Sequence, residues 1–250
     1  LPKFDLPQVP QRVSSFRMLS EEQLTGLWGN LRAAKRGVII AGPRDGACEQ
    51  SEEQLAACVD KLAQYLGWPV LAEPGSGIRA RLSESDALIA CADVILRGEK
   101  ISQRLAPDFV LRFGKTPTSK VVRLWAAQHA QTTCVVEFNP GWHDPDAVVT
   151  DVIHAKPVDV LEGLLDTAEP MDTDRDWMSG WRRAAAIAES EIATLSNEVF
   201  WEGAIARQVV EALPERSLLH VSNSMPIRDL DAMVKWFPEA TTVVHHRGAN

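Results

Sequence analysis

No run of apolar residues in this 250-residue chain is long enough to cross a bilayer; the longest, such as Gly37–Ala41, are a few residues each. A basic-then-apolar leader is missing, and Leu1 stands where an initiator methionine would. The sequence therefore reads as a processed or excised piece of a longer protein. No C-x-x-C pair is present. Cys48, Cys58, Cys91 and Cys134 lie far apart, which argues against a zinc knuckle or a disulfide framework and fits the reducing cytoplasm. Tyrosine occurs once against eight scattered tryptophans, a pattern expected of packing rather than of a stacking surface. Positive charge is in deficit, with 26 Lys and Arg against 34 Asp and Glu and a net charge of −8, so a global attraction to nucleic acid is not expected. Also missing are G-x-G-x-x-G, G-K-[ST], G-x-S-x-G, H-E-x-x-H and any recognisable nucleophile triad.

What is present is an alternation of short apolar runs with helical periodicity. Residues 1–18 carry Pro2, Pro7 and Pro10, which fix φ and remove donors, so they read as an extended linker. Ser20 followed by Glu21, Glu22 and Gln23 marks a helix start, and Ser51-Glu-Glu-Gln marks another. Apolar strands are expected at 37–41, 68–72, 108–113 and 133–138, with a fifth within 148–154. Helices are expected over 21–34, 51–66, 86–96, 119–130 and 158–168. Strands apolar on both faces that alternate with helices imply a doubly wound parallel α/β sheet over residues 19–170. A polar stretch with Pro170 then marks a boundary. Helices over 177–195 and 198–212, a strand at 217–221, a helix over 226–236 and a strand at 241–246 read as the first β-α-β portion of a second α/β domain, residues 171–250.

Several strand ends carry candidate chemistry. Gly42-Pro-Arg-Asp-Gly46 follows a strand but lacks phosphate-loop spacing, and Pro43 removes a donor, so a plain turn is expected. Gly114-Lys-Thr-Pro-Thr-Ser-Lys120 follows a strand and opens a helix. Thr118 or Ser119 can cap that helix, which leaves Lys120 as a cation in a first turn, where the dipole disfavours it. A ligand-binding lysine and a solvated one are both compatible with that spacing. Ser222-Asn-Ser-Met-Pro-Ile-Arg228 ends a strand in small polar residues and starts a helix with an early proline, a turn whose N–H groups, hydroxyls and arginine suit a phosphate or carboxylate. His245-His246-Arg247 ends the last strand. Adjacent strand residues face opposite ways and no acidic partner is near, so Arg247 is a better anion ligand than the histidines are a metal site. His143-Asp144-Pro-Asp146 has the composition of an ordinary turn.

Asn223-Ser-Met-Pro-Ile-Arg-Asp-Leu-Asp231, His246-Arg-Gly-Ala-Asn250 and Arg112-Phe-Gly-Lys-Thr-Pro-Thr-Ser-Lys120 together resemble the 2-succinyl-5-enolpyruvyl-6-hydroxy-3-cyclohexene-1-carboxylate synthase family, thiamine-diphosphate enzymes of menaquinone biosynthesis. The resemblance implies a central domain followed by the opening of a C-terminal pyrophosphate-binding domain. It implies thiamine diphosphate and Mg²⁺ as cofactors, 2-oxoglutarate and isochorismate as substrates, and a transferase that decarboxylates the first and adds the succinyl unit to the second by 1,4-addition. By motif match, Lys120, Ser224, Arg228 and Arg247 are substrate-side, and Asn223 and Ser224 approach the cofactor diphosphate. No catalytic residue and no metal ligand falls within the chain, since the acidic metal motif would follow Asn250 and the activating glutamate would precede Leu1. The chain alone is therefore expected to be inactive. Ser222 stands where the family often has glycine. A homodimer or homotetramer with sites shared between subunits is implied, with no nucleic-acid partner and no membrane span. Two other readings are compatible with the residues: another thiamine-diphosphate lyase or decarboxylase acting on a 2-oxo acid, and a non-catalytic metabolite-binding α/β module.

Overall fold

The computed structural model of the chain describes residues 18–44, 50–138, 144–168, 175–198 and 201–246. The expected linker therefore lies almost wholly outside the described residues, as do Asp45 and Gly46, His143, and Arg247 with the three residues after it.

The chain opens with α1 (Glu21–Ala33), started by the foreseen capping box: Ser20 accepts from the Gln23 N–H and Gln23 reaches back to the Ser20 N–H. Strand β1 (Gly37–Ala41) follows, then α2 (Glu52–Leu66), capped by Ser51 and ended by Gly67 at φ 68°. After β2 (Val70–Ala72) come two short 3₁₀ turns, Pro74–Ser76 and Ala80–Leu82. Helices α3 (Ala92–Leu96) and α4 (Glu99–Arg104) lead to β3 (Phe109–Phe113), α5 (Lys120–His129), β4 (Thr132–Glu137), β5 (Asp151–His154) and α6 (Pro157–Asp166). All pairings in the resulting five-stranded sheet are parallel, in the order β2-β1-β3-β4-β5. Helix α6 packs against α1 and α2, and α3 packs against α4 and α5. The doubly wound arrangement expected from the two-faced apolar strands is thus observed: every residue of β1, β2 and β3 is buried.

Two expectations need correction. Residues 86–96 do not form one helix. Leu88 bridges Val70, with Val70 N–H donating to Ala87 at 2.8 Å and Ile89 N–H to Val70 at 2.9 Å, so helix begins only at Ala92. The exposed edge of β2 recruits the segment, and edge pairing overrides its helical periodicity. The last helix is shorter than 226–236. It runs from Met225 to Met233 and breaks at Val234 (φ −110°, ψ 117°).

Beyond α6, α7 (Arg175–Glu198) lays Trp177, Met178, Trp181 and Ala185 into the core of the five-stranded sheet. Trp181 sits edge-on between Trp125 and Trp177, with ring centroids 5.6 and 6.0 Å apart, and the Trp177 indole N–H donates to Gly37 at 2.8 Å. Most of the described tryptophans are packing residues, as their scatter predicted; Trp236 is half exposed. Then α8 (Glu202–Glu211), β6 (Leu218–Val221), α9 (Met225–Met233) and β7 (Thr242–His245) follow, and β6, α9 and β7 form a β-α-β unit whose two strands pair in parallel. It has its own small core of Val210, Val221, Ile227, Leu230, Val234, Phe237 and Val243. No described helix is long and apolar enough to cross a membrane. Cys58, Cys91 and Cys134 are free and buried, and burial pushes the Cys91 and Cys134 thiols up to about 11 and about 12, which leaves them unreactive near neutral pH.

Candidate functional site

In an open parallel sheet of this order, the crevice for ligands lies beyond the carboxyl ends of the strands where the winding reverses, here between β1 and β3. That crevice is closed by backbone hydrogen bonds. Gly42 N–H donates to Phe113 at 2.9 Å, Lys115 N–H to Pro43 at 2.9 Å and Arg44 N–H to Gly75 at 3.0 Å. Gly114, at φ 75°, makes the turn, and a Cβ there would collide with the Pro43 carbonyl. The Arg44 guanidinium is paired with Glu52. The space left, about 40 Å³, has room for a water or two. The described part of the Gly42–Gly46 motif thus bonds to neighbouring backbone through Gly42 and Arg44; Asp45 and Gly46 lie outside the described residues.

Helix α5 starts where the Gly114–Lys120 motif placed it, and Ser119 rather than Thr118 is its cap, accepting from Val122 N–H at 3.1 Å. Lys120 is the first helical residue, exposed and without an ion pair among the described residues. The cation thus sits in the first turn, where the helix dipole disfavours it.

The β6–α9 turn is the second cluster. Ser222, Asn223, Ser224, Met225, Pro226 and Arg228 are all exposed at the strand end. Ser224 is the residue before α9 and has φ 69° and ψ −127°, a conformation that costs a non-glycine residue on the order of 1–3 kcal/mol. Its side chain makes no capping bond, so the helix N-terminus is left open to an outside acceptor. Arg228 lies one turn into the helix, exposed and, like Lys120, without an ion pair among the described residues. At the end of β7, the rings of His220 and His246 stack edge-on at 4.6 Å.

Sequence reasoning missed a buried set of charges beneath these surfaces. Glu73, at the end of β2, accepts from the N–H groups of Thr118 and Ser119 (3.4 Å for the latter). Ser119 also donates its hydroxyl to Asp93 at 2.6 Å. Arg79, 1% exposed, pairs with Asp231 of α9 at 2.6 Å. Burial, together with the nearby Asp231 charge, pushes the Glu73 carboxyl up to about 8. Burial raises Asp231 to about 6 against the opposing pull of Arg79. The available signals were slight: a glutamate closing an apolar strand just before Pro-Gly, and an arginine between Ile78 and Ala80.

The metal-like fragments resolve into structural roles. Asp144 accepts from the N–H groups of Val148 (3.2 Å) and Val149 (3.0 Å), and Asp146 pairs with Arg123. Among the described residues no group of three or more His, Cys, Asp or Glu side chains could hold a metal ion. The open, uncapped Ser224 turn fits an anionic group.

Comparison with known proteins adds two findings. Residues 12–221 match the family described as "Middle domain of thiamine pyrophosphate". Curated proteins named 2-succinyl-5-enolpyruvyl-6-hydroxy-3-cyclohexene-1-carboxylate synthase are similar along most of the chain. The one from Geobacillus thermodenitrificans is 34% identical over 97% of this chain and 41% of its own length. That from Sorangium cellulosum is 35% identical over 87% and 36%, and one from Listeria monocytogenes 33% over 86% and 37%. The chain thus spans about two fifths of the length of these relatives, for example 41% of the first.

Proposed function

Because the chain belongs to the thiamine-pyrophosphate middle-domain family, we propose that it is the central domain and the start of the pyrophosphate-binding domain of a cytoplasmic synthase that joins a succinyl unit from 2-oxoglutarate to isochorismate. In this reading, residues 19–170 are the central domain, residues 171–250 open the next one, and α7 ties the second to the core of the first. The parent enzyme is a homodimer or homotetramer that takes thiamine diphosphate and Mg²⁺, with the metal held by residues other than those described here.

The observation that carries the reading is the pair of exposed cations, Lys120 and Arg228, unpaired among the described residues and each in the first turn of a helix that leaves the carboxyl end of a parallel strand. Both substrates are carboxylates, and a cation held where its own helix disfavours it is explained by an anionic ligand. Arg228 presents a planar fork to the distal carboxylate of 2-oxoglutarate, and the Ser224 hydroxyl, free of any cap, donates to the same group. Lys120 and Arg247 meet the remaining carboxylates. Asn223 and Ser224 face the diphosphate of the cofactor, to which the uncapped N–H groups of α9 are complementary. When bound, thiamine diphosphate supplies the electron sink for decarboxylation. The residues of this chain bind and orient the substrates and transfer no proton themselves.

Arg228→Ala in the enzyme that contains this chain tests the assignment. Charge-assisted contacts of this kind contribute roughly 1.5–3 kcal/mol, so kcat/KM for 2-oxoglutarate is expected to fall about 10- to 150-fold with little change in melting temperature. Arg228→Lys is expected to recover little, because a point charge does not reproduce the fork. Wild-type turnover by Arg228→Ala would remove it from the site.

A further inference from the structure

The segment that leaves β2 touches every described element on which the proposed site stands. Glu73 holds the N–H groups of Thr118 and Ser119, directly before Lys120. Gly75 lies against the ring of His245 at the end of β7, with no room for a Cβ between them. Arg79 reaches the far end of α9, where it donates to the Asp231 carbonyl at 2.9 Å, to the Val234 carbonyl and to the Asp231 carboxylate at 2.6 Å. The same guanidinium donates to the carbonyls of Ala72 at 3.3 Å and Ala90 at 3.1 Å, on the side of the five-stranded sheet.

These contacts have a mechanical consequence. The last carbonyls of a helix lack internal partners and form its negative end. A buried cation that takes two of them, while also gripping the neighbouring sheet, fixes the helix along and around its axis. Helix α9 has nine residues, roughly 14 Å, and carries Ser224 and Arg228 at its opposite end. We propose that Arg79 and Glu73 are the positioning residues of the site: Arg79 sets α9, and with it Arg228 and Ser224, in register with the Lys120 turn that Glu73 holds. The proposal rests on the assignment of Arg228 and Lys120 to substrate carboxylates. Lysine cannot replace Arg79 here, because one ammonium does not span acceptors on both sides of a planar fork.

The test uses 2-oxoglutarate kinetics of the enzyme that contains this chain, in a cycle of wild type, Arg79→Lys, Arg228→Ala and the double variant. Misplacement of a binding group by about 1 Å costs up to roughly 100-fold, so Arg79→Lys is expected to lower kcat/KM about 10- to 100-fold. The double variant is expected to lose clearly less than the product of the two single losses, since Arg79 acts in large part through Arg228 and only the share carried by Ser224 remains. Hydrogen exchange of the helix-bonded amides of α9, from Asp229 onward, is expected to quicken in Arg79→Lys. A loss by the same factor in both backgrounds would mark a merely structural arginine and overturn the proposal. Asp231→Asn, which keeps the shape and an acceptor but removes the counter-charge, serves if Arg79→Lys does not fold; a smaller loss with the same non-additivity is expected, and a multiplicative loss again overturns it. If Arg228→Ala is itself without effect, the carboxylate assignment and the positioning role fall together. If Arg228→Ala is impaired while Arg79→Lys turns over normally, only the positioning role falls.

Discussion

The two sheets of this chain meet solvent in opposite ways. In the five-stranded sheet, β1 and β3 are buried along their whole length between helices on both faces, and the loops at the β1/β3 ends spend their backbone donors on one another. In the two-stranded sheet, one residue of each strand is buried, Val221 and Val243, Leu218 is 68% exposed, and the strand end opens onto an uncapped helix whose first residue is preceded by a strained serine. The larger unit spends backbone donors at its β1/β3 end on its own closure and leaves Lys120 exposed beyond β3. The smaller one leaves Ser222, Asn223, Ser224 and Arg228 exposed, and meets its neighbour through the buried Arg79 and the Gly75–His245 contact, among others. The Ser224–Arg228 part of the proposed site lies at a strand end whose hydrogen bonding an outside group can still complete.

The strongest way to break this contrast is to open the larger core. Leu111, fully buried at the centre of β3, is flanked by Ile39 of β1 and Cys134 of β4. Leu111→Ala is expected to destabilise the chain by about 2–5 kcal/mol, read as a shift of the urea midpoint at constant slope.

The next effect lies at the junction of the two units. The Glu73 carboxyl, raised from 4.5 to about 8, is held neutral in the fold while it ionises in the unfolded chain. Its contribution to stability is present at low pH and is lost as pH rises through the window from about 4.5 to 8, at up to roughly 1.4 kcal/mol per pH unit. The charges that bear on it are Asp231, Arg79 and, through Asp231, Asp93. Glu73→Gln is expected to melt higher than the wild type, by a margin that widens from pH 5 to pH 8. A margin independent of pH would show that the carboxyl is ionised throughout.

The smallest effect is expected on the open sheet. Leu218→Ala, made in this same chain, is expected to change stability by less than about 0.5 kcal/mol. A loss comparable with that of Leu111→Ala would mean that the two-stranded unit buries this face as the larger sheet buries its own, and the contrast would disappear.

Much of the fold was legible because it rests on local signals. Apolar runs such as Gly-Val-Ile-Ile-Ala announce a strand covered on both faces, and Ser20, Ser51 and Ser119 announce helix starts by offering oxygens to orphan N–H groups. The exposed Lys120 and the Ser222–Arg228 turn were legible for the same reason, since a strand end followed by a helix start is a neighbourhood of a dozen residues. Residues 86–96 misled because their apolar spacing suits a helix, while the β2 edge, distant in sequence, had unpaired groups to offer.

The sequence by itself determined the alternation of elements, the parallel sheet that follows from it and the places where anion-binding side chains leave the strands. Each of these depends on residues a few positions apart. Only the tertiary structure decided that α7 belongs to the larger core, that the described strand-end residues beyond β1 and β3 bond to one another, and that Glu73, Arg79 and Asp231 meet. Arg79 and Asp231 are 152 positions apart, and no periodicity records such a pair. What brings them together is the cost of burying a charge alone: once the two units pack, each buried ionic group must find its partner across the junction or remain unsatisfied within it.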